Sequence, residues 1–138
     1  MTALADSAET ITFTGVIPYL NLSDANAASA FYAKAFGAVE IDRRPAEDGK
    51  RLMHCAVNIN GGYVFFCDPF PEWGHPVEPP QAYVLHLQVD DIDAWFKRAT
   101  DAGCEVALAV HDAFWGDRYG QVKDPFGVKW SFGQSPAV

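Results

Sequence analysis

Three sets of side chains in this 138-residue chain have the types and spacing to do chemistry. The first is the loop Trp115-Gly116-Asp117-Arg118-Tyr119-Gly120, which joins a large flat ring, a fixed cation and a second aromatic. Trp115 and Tyr119 there can stack a planar ligand while the forked donors of Arg118 hold an anionic group. The other assignment of the same residues is local: Asp117 pairs with Arg118, and the aromatics plug the end of a sheet. The second set is the histidines. His86 lies in the apolar run Tyr83 to Val89, and strand alternation puts it on the face of Val84. It is either a cavity histidine that hydrogen-bonds a ligand or moves a proton, or a buried one satisfied by a polar neighbour. His54, alternating with Ala56 and Asn58, is a second polar group at that cavity, a ligand of an unusual metal, or an exposed or interface histidine. His75 and His111 fall in loops. The third set is Cys55, Cys67 and Cys104, which form no CxxC; near Cys55 and Cys67 there is no helix start or base to activate a thiol.

The remaining chemistry is excluded by what is missing. No Gly-rich phosphate loop, serine nucleophile elbow or pair of catalytic carboxylates is present. Ten Lys plus Arg against eighteen Asp plus Glu leave a charge of −8, which repels a phosphate backbone and makes nucleic acid a poor partner. No apolar run approaches the roughly 20 residues of a membrane span. The first residues carry no basic and then apolar signal pattern, and three scattered cysteines suit reduced thiols in a cytoplasmic protein.

The elements that position these groups come in two similar halves. Gly15 to Leu22 reads as a strand, Ser23 and Asp24 as caps, and Ala28, Phe31, Tyr32 and Ala35 as one stripe of a helix that Gly37 ends. Tyr83 to Val89, Asp90 and Asp91, then Ile92, Trp95, Phe96 and Ala99, with Gly103, repeat the pattern at an offset that sets Leu22-Ser23-Asp24 on Val89-Asp90-Asp91. On this alignment Tyr19 is the counterpart of His86, and the second helix lacks one turn at its start. Further strands are expected at Val39 to Ile41, Leu52 to Ile59 and Tyr63 to Cys67. In the second half they are expected at Glu105 to Leu108, Arg118 to Val122 and Val128 to Phe132. Turn formers separate them at Asp48-Gly49, Asn60-Gly61-Gly62 and Asp124-Pro125-Phe126-Gly127. Each half is thus β-α-β-β-β. The organisation expected is a flexible leader over 1–12, modules at about 13–68 and 82–134, and a Pro-rich connector over 69–81. The fold class is α+β: paired β-α-β-β-β modules forming a cupped eight-stranded mixed sheet, with helices outside and a cavity shared by the inner faces.

These residues resemble the vicinal oxygen chelate superfamily, which includes glyoxalase I, bleomycin-resistance proteins and extradiol dioxygenases. Phe31-Tyr32 with Phe36-Gly37-Ala38, Val89-Asp90-Asp91-Ile92-Asp93, and Trp115 to Gly120 followed by Asp124 to Ser131 carry the likeness, the last resembling the PhnB-like subgroup. The resemblance implies two histidine and two glutamate metal ligands. The matching positions hold Ile17, Val84, Ser131, and Phe65 or Phe66, none of which supplies the family's ligand. No metal and no cofactor are therefore expected. The resemblance also implies a homodimer with its clefts at or beside the two-fold interface. The reading that results is a metal-free small-molecule binding protein. A planar or aromatic ligand is held by Tyr19, Phe65, Phe66, His86, Trp115, Arg118, Tyr119 and Ser131. The alternative is a lyase, isomerase or dioxygenase-type enzyme in which His86 is the base and the metal is relocated or absent. A third reading is a scaffold with no small-molecule site.

Overall fold

Asp24 and Asp91 start the two helices by the same device: each side-chain carboxylate accepts from the backbone N–H three residues on, Ala27 at 3.0 Å and Ala94 at 3.2 Å. The computed structural model describes residues 11–137, so residues 1–10 of the expected leader lie outside it. Helix α1 spans Ala25–Phe36 and α2 spans Ile92–Ala102. They differ by one residue and not by the turn expected from aligning their apolar stripes. Gly37 ends α1 in the left-handed region at φ 66°, where a Cβ would sit 3.1 Å from an Arg98 guanidinium nitrogen.

The strands of the first module are β1 (Tyr19–Asn21), β2 (Val39–Pro45), β3 (Leu52–Ile59) and β4 (Gly62–Cys67). Those of the second are β5 (Leu85–Gln88), β6 (Glu105–Asp112), β7 (Arg118–Lys123) and β8 (Lys129–Gln134). They form two four-stranded sheets, ordered β1-β4-β3-β2 and β5-β8-β7-β6. In each, the first strand runs parallel to the last and the other pairings are antiparallel. Two paired β-α-β-β-β modules in an α+β arrangement are as the sequence reads. β1 is shorter than expected because Gly15 has φ 81° and Pro18 has no N–H to give, although the Pro18 carbonyl still accepts from Phe65. β8 takes in Gln134, whose side chain accepts from the Ile92 N–H at 2.8 Å.

The core lies between the sheets and holds both helices. Tyr32 and Phe36 of α1 pack on Trp130 of β8, and Tyr32 also meets Phe66 of β4 edge-on. Tyr32 Oη donates to Asp124 Oδ2 at 2.6 Å, tying the first module to the β7–β8 turn of the second. Asp124 is buried, and its other donors are Trp130 Nε1 and the N–H groups of Phe126 and Val128. Burial, the negative charge of Asp124 and this hydrogen bond hold the Tyr32 phenol well above its ordinary pKa.

The helix-covered faces of both sheets therefore converge on one core, and their other faces turn away from it. The cavity expected between the inner faces is divided within one chain. A groove of about 480 Å³ runs where Pro18 and Tyr63 approach Val84 and His86, but its walls include neither Tyr19 nor Tyr119. Among the described residues, no helix is long and apolar enough to cross a membrane.

Candidate functional site

The free faces of the two sheets carry matched rows of residues, because the registers correspond. Tyr19 pairs with Phe65 and Phe65 with Ala56; His86 pairs with Ser131 and Ser131 with Gln121. Phe65 is thus the counterpart of Ser131. Phe66 is a correction to the expected ligand set: its side chain faces the helix layer, is fully buried and belongs to the core. Alternation along β4 makes any other outcome impossible once Phe65 faces outward.

On the second sheet, His86 is held at both ring nitrogens. Nδ1 lies 2.7 Å from Ser131 Oγ and Nε2 lies 2.7 Å from Gln88 Oε1. The Gln88 amide nitrogen donates to Asp117 Oδ2 at 3.1 Å and to Ser135 Oγ at 3.0 Å. With its NH₂ turned to a carboxylate, Gln88 offers its oxygen to His86, so Nε2 carries the ring proton and Nδ1 accepts from Ser131. The chain of contacts runs Ser131, His86, Gln88, Asp117. Both ring nitrogens of His86 thus have partners within the protein. Gly133 makes the packing feasible, since a Cβ there would lie 2.6 Å from Gln88 Oε1 and 2.9 Å from the His86 ring.

Tyr119 stacks on His86 with ring centres 6.1 Å apart, and Trp115 meets Tyr119 edge-on at 5.3 Å. The aromatic wall of the Trp115 loop is therefore real, but its cation is spent. Arg118 pairs with Asp93 at 2.7 Å and lies 3.6 Å from Asp112, while Asp117 serves Gln88. Local pairing of Arg118 holds, although its partners are not Asp117. Phe114, at the tip of the same hairpin, is 98% exposed.

The first sheet presents an aromatic surface. Tyr19 Oη lies 3.0 Å from His54 Nδ1, and Phe65 meets Tyr19, His54 and Phe13 edge-on. His54 therefore stands beside Tyr19 on the free face, as alternation requires. The connector closes one end of this surface. Phe70 and His75 exchange backbone hydrogen bonds around the 3-10 turn Pro71–Trp73, and the Phe70 and Trp73 rings stack 5.0 Å apart at 11°. A pocket of about 480 Å³ forms between Tyr19 and Asn21 of β1, Met53, Cys67, and Phe70, Trp73 and His75 of the connector. Asn21 and the connector wall were not among the expected ligand residues. Asn21 follows Tyr19 by two and shares its face, so strand alternation could have found it. The fold of a Pro-rich connector has no such signal.

The thiols are held protonated. Burial, then the Glu40 carboxylate 3.5 Å away, pushes Cys55 up to about 12. Burial and Asp124 push Cys104 up to about 12, and burial and Asp68 raise Cys67. The metal positions implied by the resemblance hold Ile17, Phe65 and Val84, which offer only carbon, and Ser131, whose hydroxyl is engaged by His86. This set does not fit a divalent cation. Among the described residues, no three His, Cys, Asp or Glu side chains gather as a metal-binding group.

Residues 12–132 match the family model described as Glyoxalase/Bleomycin resistance protein/Dioxygenase superfamily. A Mycobacterium bovis protein is 47% identical over 123 residues, covering 85% of this chain and 80% of its own length. The crystal structure of an Arabidopsis thaliana gene product is 27% identical with a TM-score of 0.67, covering 88% of this chain and 99% of that one. The PhnB protein of Bacillus cereus shares the fold at 19% identity, with a TM-score of 0.66 over 88% of this chain and all of that one.

Proposed function

The chain belongs to the glyoxalase/bleomycin resistance protein/dioxygenase superfamily, and from that premise we propose that it binds a planar, aromatic small molecule without metal chemistry. The observation that carries this reading is the pair of matched rows. Two of the four metal positions implied by the family, Phe65 and Ser131, lie at the centre of these rows, flanked by Tyr19 and Ala56 on one sheet and by His86 and Gln121 on the other, and the remaining two hold Ile17 and Val84. Aromatic rings surround both rows: Phe13 and Tyr63 near the first, Tyr119 and Trp115 near the second. Flat faces of this kind recognise flat ligands.

The working unit is a homodimer. The free faces bear exposed Tyr19, Met53, Val84, Leu108 and Trp115, and a second copy of the chain can lay its second sheet opposite the first. A cup closed this way holds Tyr19 and Phe65 of one protomer across from the aromatic loop of its partner. Three free cysteines with raised thiol pKa values suit a reducing compartment, and we place the protein in the cytoplasm.

Elemental mass spectrometry on protein purified without chelators or metal affinity tests the metal-free part. Metal far below one equivalent per subunit is expected, and a value near one overturns it. Thermal melting against a panel of aromatic compounds tests the ligand part, with a rise in Tm expected for planar members. Sedimentation equilibrium tests the dimer, and a monomer at micromolar concentration would refute it.

A further inference from the structure

We propose that Lys123 and Lys129 hold a carboxylate group of the ligand, so that the compound bound is a planar organic monoanion. This rests on the planar-ligand reading above and adds the charge the ligand carries and the place where that charge sits. The two lysines are register partners on β7 and β8, so their side chains leave the same face of the sheet beside each other. Alternation makes it the free face: Lys123 follows Gln121 by two residues, and Lys129 precedes Ser131 by two. The cationic row therefore lies next to the row His86, Ser131, Gln121, about 7 Å along the strands. A hollow of about 580 Å³ opens there, walled by both lysines with Ala82, Tyr83, Val84 and Ala107. That volume falls within the range of roughly 300–1,000 Å³ usual for small-molecule sites.

Like charges directly opposite each other on a strand pair are destabilising, and here little relieves them. Arg43, Arg51 and Arg118 are balanced by Glu40, by Asp48 and Glu72, and by Asp93. Among the described residues, neither Lys123 nor Lys129 forms an ion pair. Two carboxylates stand near the row. Glu105 is the register partner of Lys123 on β6, and Asp124 is turned inward to Tyr32 and Trp130. Glu105 alone against two ammonium groups leaves one positive charge unbalanced, which suits a monoanion. The backbone at the hollow is also strained, since Ala82 has φ 68°, a region that disfavours any residue with a Cβ. Strain of this kind collects at ligand clamps. Tyr83, 44% exposed, and Val84 offer the apolar surface for the ring.

Calorimetric titration of the full chain with 2-naphthoate and its neutral amide, 2-naphthamide, tests this. At about 20 mM salt the carboxylate is expected to bind roughly tenfold tighter than the amide, and about 0.5 M salt should remove most of that advantage. Lys123→Gln and Lys129→Gln should each reduce naphthoate affinity roughly tenfold and leave naphthamide unchanged. Lys97→Gln, on α2, should change neither. In the absence of either probe, Lys129→Gln should raise Tm, because one of two opposed like charges is gone. A change that stabilises the protein while weakening its ligand separates a binding lysine from a structural one. Equal affinity for the two probes, or lysine variants that keep the carboxylate preference, overturns the inference and leaves the planar-ligand reading standing. If neither probe binds, both fall.

Discussion

The two modules share a backbone plan and differ in what they place on their free faces. In the first, the row Tyr19, Phe65, Ala56 is mostly aromatic, and the connector builds a pocket at its end. In the second, the equivalent row His86, Ser131, Gln121 is polar and its groups satisfy one another. The lesson is where unfilled capacity lies. The second row has spent its donors and acceptors internally, whereas the first module leaves an acceptor, Asn21 Oδ1, without a partner. Sharing of topology thus says nothing about sharing of role; the side chains on matched register positions decide it.

The contrast between faces depends on a common core, and Trp130→Ala tests that most severely. Loss of its buried indole should cost about 3–5 kcal/mol. Denaturant unfolding followed by circular dichroism and by fluorescence should remain one coincident transition, since Tyr32 still ties the first module to Asp124 of the second. Two separated transitions would mean the modules are independent and the comparison is between two small domains. Tyr32→Phe should cost less, about 1–3 kcal/mol, by removing one donor from the buried Asp124. The same unfolding experiment measures it.

Ser131→Ala sharpens the account of the second face. It should cost about 0.5–1.5 kcal/mol and leave the Nε2 proton of His86 in place. Imidazole nitrogen-15 shifts at neutral pH check the tautomer; a ring protonated at Nδ1 would reverse the direction of the whole Ser131-to-Asp117 chain. The smallest effect concerns acid. Hydrogen bonds from the Arg51 and Lys50 N–H groups, with the Arg51 side chain, lower Asp48 to about 2 from an ordinary 3.8. A lowered carboxyl pKa adds stability that is present above 3.8 and lost as pH falls toward 2. Asp48→Asn should therefore lower Tm slightly at pH 7 and by clearly less at pH 2. An equal difference at both values would place the effect in packing, not charge.

Much of this architecture was legible in the sequence. The strand Leu52 to Ile59 was readable to the residue, and Asp24, Gly37, Asp91 and Gly103 marked the helix limits, because caps and alternation are local. His86 and Val84 share a face for the same reason. The direction in which the free faces point was not legible. It follows from α1 packing on Trp130 as well as on its own sheet, which is a contact between distant parts of the chain. The supposed missing turn of α2 arose from matching apolar stripes, and Trp95 and Phe96 are only half-buried, so the stripe was a poor ruler. The choice between Phe65 and Phe66 needed the strand register. Arg118 looked available because its partner Asp93 lies on another element, 25 residues away. The pocket under the connector escaped notice because prolines announce irregularity without saying where the chain goes.

The bond between Tyr32 and Asp124 occurs once. By the offset between helix caps, the position of Tyr32 on α2 is Ala99, and the turn in the first module that matches Asp124 holds Asn60. Two halves descended from one duplicated segment would at first have carried every cross-contact twice, once in each direction. Here the hydroxyl stands only in the first half and its carboxylate partner only in the second. Each half has become the complement of the other and has lost the means to pair with itself. A tandem of two first halves would bury a phenol against an asparagine turn, and a tandem of two second halves would bury two carboxylates opposite alanine. Neither half alone supplies both the phenol and the carboxylate of this bond.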